Sequence, residues 1–332
     1  MSRFAELFAA VSRVDPSITD ALRAAIAEAD RPVAVQVAGR AGSGRSTVAR
    51  ALGIADADFV TTDAIDGPDP VLNADVVVYV IAERLLDADR AALAMVRPVN
   101  AIAILNKADA VDGDWAEVIA RANEYTQITG IQTVPLVGVV ADTAASSGVG
   151  PDELRALQTL AAVGDSTLTV SPDLFVAADV PVNTHDRLAL LNRWELDAVA
   201  TAVEVLRRDA HCTAATLTQI LHASSGIDTA AAVLTDRMQR SAALRGGALL
   251  DSLERFAARS PARDDIEQFL RSDAATQIGL AAGLASPALV DAVAAGEATD
   301  RTKRAAYWTH YAASDVGAPA RRAAHRVRRG YA

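Results

Sequence analysis

Between Pro32 and Ala162, short runs of consecutive apolar residues alternate with stretches in which apolar side chains recur every three or four positions. The runs PVAVQVAG (32–39), DADFVTT (56–62), ADVVVYVIA (74–82), VNAIAILN (99–106) and QTVPLVGVV (132–140) predict strands. Their continuity is that of parallel strands covered by helices on both faces. Helices are predicted from Ser46, from Leu85 to Met95, around Trp115 to Tyr125, and from Pro151. This order gives an α/β parallel sheet. Upstream, Phe4, Leu7, Phe8 and Val11 at helical spacing predict two short helices around Asp15-Pro16. Residues 163–185 lose the periodicity and hold two prolines, which marks a connector. Beyond His185 the pattern is helical throughout, in segments near 186–209, 213–223, 228–259, 263–281, 287–295, 299–313 and 318–329. Asp228 is placed to N-cap the longest of them. The expected organisation is therefore a helical segment (1–30), an α/β domain (31–163), a connector (164–185) and an all-α domain (186–332).

Length and composition support two real cores: 332 residues, 51% hydrophobic, is a globular chain. The net charge of −10 lies mostly in the first 150 residues and argues against a general nucleic-acid binder, whose footprint is basic. The single cysteine, Cys212, cannot form an intramolecular disulfide, and the first residues break their apolar pattern with charge, so a cytoplasmic location is expected. The weakly polar stretch 274–290 falls short of a membrane span and is read as buried helices.

The sharpest chemical signal is Gly39-Arg40-Ala41-Gly42-Ser43-Gly44-Arg45-Ser46-Thr47, after a strand and opening a helix. A glycine-rich loop in that setting turns its amides around phosphate oxygens. The pattern is GxxxxGK[ST] with Arg45 where lysine is usual. Ser46 stands at the hydroxyl position for Mg²⁺. A planar guanidinium pairs with phosphate but does not reproduce a compact ammonium between β- and γ-phosphates. The chain has two lysines, Lys107 and Lys303, against thirty arginines, so Arg45 also follows the composition. A plain strand-to-helix turn that binds nothing is the structural alternative.

One of those lysines lies in Asn106-Lys107-Ala108-Asp109, at the end of AIAILN. With the glycine-rich loop, this tetrapeptide resembles the NKxD motif of P-loop GTPases with a TRAFAC/Era-type G domain. The resemblance implies a P-loop NTPase-type sheet in reduced form, GTP or GDP as ligand, and Mg²⁺ as cofactor. It implies that Asp109 accepts from N1–H and the 2-amino group of guanine, Asn106 supports base and loop, and the Lys107 stem packs along the base. It also puts Asp63 on the metal side, although Asp66-Gly67 fits an ordinary turn equally well. Pro135-Leu136-Val137-Gly138 falls in place of the SAK/SAL loop, with the Gly138 amide toward guanine and no serine. The alternative for Asp109 itself is a helix cap after the strand.

Other landmarks of that family are missing. Too few residues separate the first helix from Asp63 for a switch I loop and a further strand, and no water-positioning residue is identifiable. Downstream, Ser225-Gly226-Ile227 before a long helix resembles the helical tail of actinobacterial dynamin-like GTPases. The expectation is guanine-nucleotide binding with weak or partner-dependent hydrolysis, the partner being a paralogous GTPase or a second copy. Two alternatives stay open: a pseudo-GTPase scaffold that binds a partner through its helices, and an ATP-binding P-loop kinase or ATPase. Arg321, Arg322, His325, Arg326, Arg328 and Arg329 leave open peripheral contact with an acidic lipid surface or with the acidic N-terminal domain, against the plainer reading of a solvated helix end. The histidines show no metal-ligand spacing, Cys212 reads as a core thiol, and Trp194, Trp308 and Tyr311 read as packing residues.

Overall fold

The computed structural model describes residues 4–63, 70–111, 114–165, 167–296 and 301–331. In chain order, α1 (Ala5–Val14) and α2 (Thr19–Asp30) precede β1 (Val35–Gly39), α3 (Arg45–Ala51), β2 (Asp58–Thr61), β3 (Val76–Ala82), α4 (Asp87–Ala94) and β4 (Ala101–Asn106). There follow α5 (Trp115–Thr129), β5 (Thr133–Leu136), α6 (Gly138–Ser146), α7 (Pro151–Val163), α8 (Pro172–Ala177), α9 (Thr184–Arg208), α10 (Ala214–Ser224) and α11 (Ile227–Ala257). The chain ends with α12 (Arg263–Leu270), α13 (Asp273–Leu284), α14 (Val290–Gly296), α15 (Arg301–Ala313) and α16 (Ala318–Tyr331).

The chain divides into two compact units, residues 34–235 and residues 1–33 with 236–332, with α11 running through the boundary. These boundaries differ from those expected, and the cores say why. In the first unit, Leu190, Trp194, Ala198, Val203, Leu206, Leu217 and Leu221 of α9 and α10 join the same buried cluster as Tyr79, Leu105 and Tyr125. The first two helices after the connector thus complete the α/β core. In the second unit, Phe4, Leu7, Val11 and Leu22 cluster with Leu249, Leu250, Leu253 and Ile266. Buried Asp15 accepts from Ser17 N at 3.1 Å and from Ser260 Oγ at 2.5 Å, tying the two ends of the sequence together.

The sheet is five-stranded and wholly parallel, in the order β2-β1-β3-β4-β5. Every residue of β4 and all but the last of β3 are buried, as their uninterrupted apolar runs predict. The connection from β1 goes to one side and the next crosses to the other, which opens a crevice beyond the carboxyl ends of β1 and β3. The glycine-rich loop leaves β1 at that point. Among the described residues no strand lies between α3 and β2, matching the short spacing read there.

Four local expectations are corrected. The fifth strand ends at Leu136 instead of continuing through Val140, and 138–146 form α6. The expected connector contains α8, capped by Ser171 Oγ from Leu174 N. Asp228 lies in the first turn of α11 and is not its N-cap. The helical segment at 263–281 is two helices, α12 and α13, separated by the Ser272 cap. In the second unit α13 and α16 pack so closely that a Cβ on Gly283 would stand 2.5 Å from Val327 Cγ2. Trp308 is buried there beside Tyr307 and Tyr311. No single helix among the described residues is long and apolar enough to cross a membrane, and α13 is bent 67° from the following stretch Pro287–Val293.

Candidate functional site

Gly44, at the N-cap of α3, has φ 88° and no side chain caps the helix. Its left-handed backbone favours glycine, and a Cβ there would collide with Asn106 Nδ2. That proximity is the centre of the site. Asn106, 4% exposed at the end of β4, donates from Nδ2 to the Ser43 carbonyl at 2.9 Å. Its Oδ1 accepts from Gly138 N at 3.1 Å. One amide side chain therefore ties the loop after β1 to the turn after β5.

Around this bridge Gly44, Thr47, Asn106, Lys107, Asp109, Val137 and Gly138 line one crevice of about 320 Å³. Six of these seven are residues singled out from sequence. Lys107 sits at φ 56°, and its Nζ lies 3.3 Å from Glu83 Oε1. Burial pushes the Asp109 carboxyl up, its own backbone amide holds it down, Asp197 pushes it further up, and Lys107 opposes. Among the described residues no side chain hydrogen-bonds that carboxylate.

Three further loop positions, Arg40, Ala41 and Arg45, are engaged by residues outside the loop. Arg40 Nε bonds both oxygens of Asp89, at 3.0 and 3.2 Å, and Asp89 is fully buried. The same carboxylate accepts from Tyr79 Oη at 2.9 Å and Leu86 N at 2.9 Å. Burial pushes the Tyr79 phenol well above its ordinary range, so it remains a donor. Arg45 Nη1 donates to Thr61 Oγ1 at 2.6 Å, across to β2. Asp63 Oδ1 accepts from Ala41 N at 2.8 Å. Gly39, buried, closes β1 beside Val80, and Gly42 takes a positive φ on the exposed rim. Ser43 Oγ is buried without a hydrogen-bond partner. Ser46 is exposed, with its hydroxyl unbonded among the described residues. Asp66-Gly67 lies outside the described residues.

The donor set suits Mg²⁺ only in part. The Ser46 hydroxyl is available to an ion carried on phosphates, whereas Asp63 is engaged with the loop it would serve. No group of three or more His, Cys, Asp and Glu side chains among the described residues is arranged to hold an ion.

Two contributors were not identified from sequence. Glu195, from an interruption in α9, also lines the crevice. Ser225 of the Ser225-Gly226-Ile227 element accepts from Val137 N at 2.9 Å, next to Gly138. A signal existed for the second, since Gly226 was conspicuous before a long helix. For Glu195 there was none, because α9 reads as an unbroken helix. No protein family matches the chain, and no curated protein or solved structure does either.

Proposed function

We propose that this chain binds a guanine nucleotide, with the base in the crevice beneath Asn106 and Asp109 and the phosphates toward the loop 40–47. The observation that carries the reading is the Asn106 bridge, because it makes the base-side and phosphate-side loops one preorganised unit. Asp109 supplies two acceptor oxygens for the N1–H and 2-amino donors, and adenine, lacking that pair, leaves a carboxylate unpaired. The Ser46 hydroxyl would hold Mg²⁺, and the chemistry the ion would supply is neutralisation of phosphate charge. This chain's own residues bind and orient. The absence of a water-positioning residue among those identified from sequence makes turnover slow or dependent on a partner. Calorimetry with GDP and ADP, each with Mg²⁺, tests the proposal on folded protein: tighter GDP binding is expected, and equal or absent binding overturns it.

The scaffold reading has its own support. Arg40, Arg45 and Asp63 are all engaged internally, as in a loop that needs no phosphate to be satisfied. An ATP-binding kinase or ATPase is separated by Asp109→Asn, which shifts purine preference under the guanine reading and leaves ATP binding unchanged under the other.

A further inference from the structure

Helix α9 is interrupted at Glu195, whose φ of 62° and ψ of 164° fall in a region reserved almost entirely for glycine. Such a conformation is strained and persists only where the surroundings over-determine it. Here they do. Trp194, 1% exposed, donates Nε1 to Glu153 Oε1 at 3.2 Å. The Arg193 guanidinium bonds Ser147 Oγ and the Gly148 carbonyl, both at 2.7 Å, and lies 5.7 Å from the Trp194 ring centroid. The Arg193 carbonyl accepts from Thr143 Oγ1 at 3.1 Å. Both residues before Glu195 are thus fixed from α6, α7 and the segment between them, and the helix breaks immediately afterwards.

The break leaves the half-buried Glu195 on the wall of the crevice that holds Asn106, Lys107, Asp109 and Gly138. Its carboxylate has no hydrogen-bond partner among the described residues. Burial and the Asp109 charge push its carboxyl up, and Lys107 pulls it down.

Guanine presents three hydrogens along one edge: one on N1 and two on the 2-amino group. A single carboxylate has two oxygens, and Asp109 accepts the N1 hydrogen and one amino hydrogen. The second amino hydrogen needs another acceptor.

We infer that Glu195 is a specificity-determining residue that accepts this remaining 2-amino hydrogen, so that the crevice demands the 2-amino group more strictly than Asp109 alone would. The inference rests on the guanine reading above. Hypoxanthine is the discriminating probe, since it keeps N1–H and lacks the amino group. With it both carboxylates lose a donor, and unpaired buried acceptors are penalised.

The test is calorimetric titration of GDP, IDP and ADP into the full chain and into Glu195→Gly and Glu195→Gln. Glycine removes the carboxylate while accepting the local φ without strain, so the fold is retained; a thermal melt checks this. Glu195→Gly is expected to lower the GDP-over-IDP preference about tenfold, through weaker GDP binding with IDP unchanged or tighter. Glu195→Gln, which keeps an acceptor oxygen without the charge, falls between. If Glu195→Gly changes GDP and IDP affinity equally, the carboxylate is only a general charge and the inference is overturned. Wild-type binding of GDP over ADP with an unaltered GDP/IDP ratio in Glu195→Gly defeats this inference alone. Failure of the wild type to prefer GDP over ADP defeats the guanine reading and this inference with it.

Discussion

Asn106 and Ser43, 63 residues apart in sequence, meet through a buried 2.9 Å hydrogen bond from the asparagine amide to the serine carbonyl. The other end of the same side chain holds Gly138 N at 3.1 Å. No other residue type of that size offers a donor and an acceptor on one rigid plane. Asn106→Ala leaves a buried carbonyl and a buried amide without partners. The expected loss is about 2–4 kcal/mol of stability, from two unmade buried bonds. Chemical denaturation measures it. Asn106→Asp is expected to be worse for nucleotide binding than its shape suggests, because a carboxylate cannot donate to Ser43 and faces its carbonyl oxygen.

Arg40 is held by Asp89 rather than offered to solvent. Asp89→Ala deprives Arg40, Tyr79 Oη and Leu86 N of one common acceptor. Removing one side of a buried pair costs about 3–5 kcal/mol; the partial exposure of Arg40, 21%, puts the expected value near the lower end, at about 3 kcal/mol. Tyr79→Phe removes the hydroxyl's bond to Asp89 and its 3.1 Å contact with Thr62 Oγ1, and is expected to cost about 1–2 kcal/mol. Denaturation midpoints of the two variants check the order.

The Ser225-Gly226-Ile227 element locks onto the strand end that carries Gly138. Gly226 has φ 85°, and a Cβ there would stand 2.5 Å from the Pro135 carbonyl and 3.1 Å from the Trp115 ring. The carbonyl belongs to strand backbone and cannot give way, so Gly226→Ala combines a strained φ with a clash. The expected destabilisation is about 2–3 kcal/mol, visible as a lowered melting temperature. Gly42→Ala is the contrast, having a positive φ but open space around its Cβ; only the smaller conformational term is expected there.

How far the sequence carries the fold depends on whether a contact is local. The five parallel strands were legible because β3 and β4 are buried on both faces and say so in every residue. For Asn106 the resemblance to NKxD implied only support of base and loop; its approach to Gly44 is seen first in the structure. By contrast, 132–140 is a continuous apolar run that suits a strand or a helix. What ends β5 at Leu136 is non-local: Val137 N goes to Ser225, and Gly138 N to Asn106. Glu195 was illegible for the same reason, as Thr143, Ser147 and Glu153 fix its neighbours across 41 to 50 residues of sequence. The pairing of α1 and α2 with residues 236–275 left no trace in periodicity, because an amphipathic helix shows that it has a partner and not which one.

Under the proposed guanine binding, the raised Asp109 carboxyl gives base affinity a direction in pH. Guanine's N1–H requires the ionised acid, so GDP affinity is expected to fall as pH drops through the raised value, above the ordinary aspartate range near about 3.9. Stability of the free protein moves the other way. A carboxyl raised by folding disfavours the fold while ionised, and that penalty fades as pH falls from the folded toward the unfolded pKa. GDP titrations from neutral to mildly acidic pH, beside melts of the nucleotide-free protein, should therefore show opposite slopes. In Asp109→Asn the part of both slopes due to Asp109 disappears, leaving those of Glu195 and Asp197, whose carboxyls burial also raises.

Arg45 decides between a slow nucleotide site and a scaffold. Its Nη1 is bonded to Thr61 Oγ1 at 2.6 Å, so the guanidinium is directed to β2. A lysine at this position loses the planar fork that makes that bond and places a compact charge at the opening of α3, where phosphate oxygens are expected. Arg45→Lys is expected to tighten GTP binding and bring out measurable turnover, followed as phosphate release with Mg²⁺ present. Thr61→Ala should do part of the same by freeing the guanidinium without changing its chemistry. If Arg45→Lys improves neither binding nor turnover in a folded protein, the internally satisfied loop is the functional state, and the scaffold reading replaces the nucleotide site.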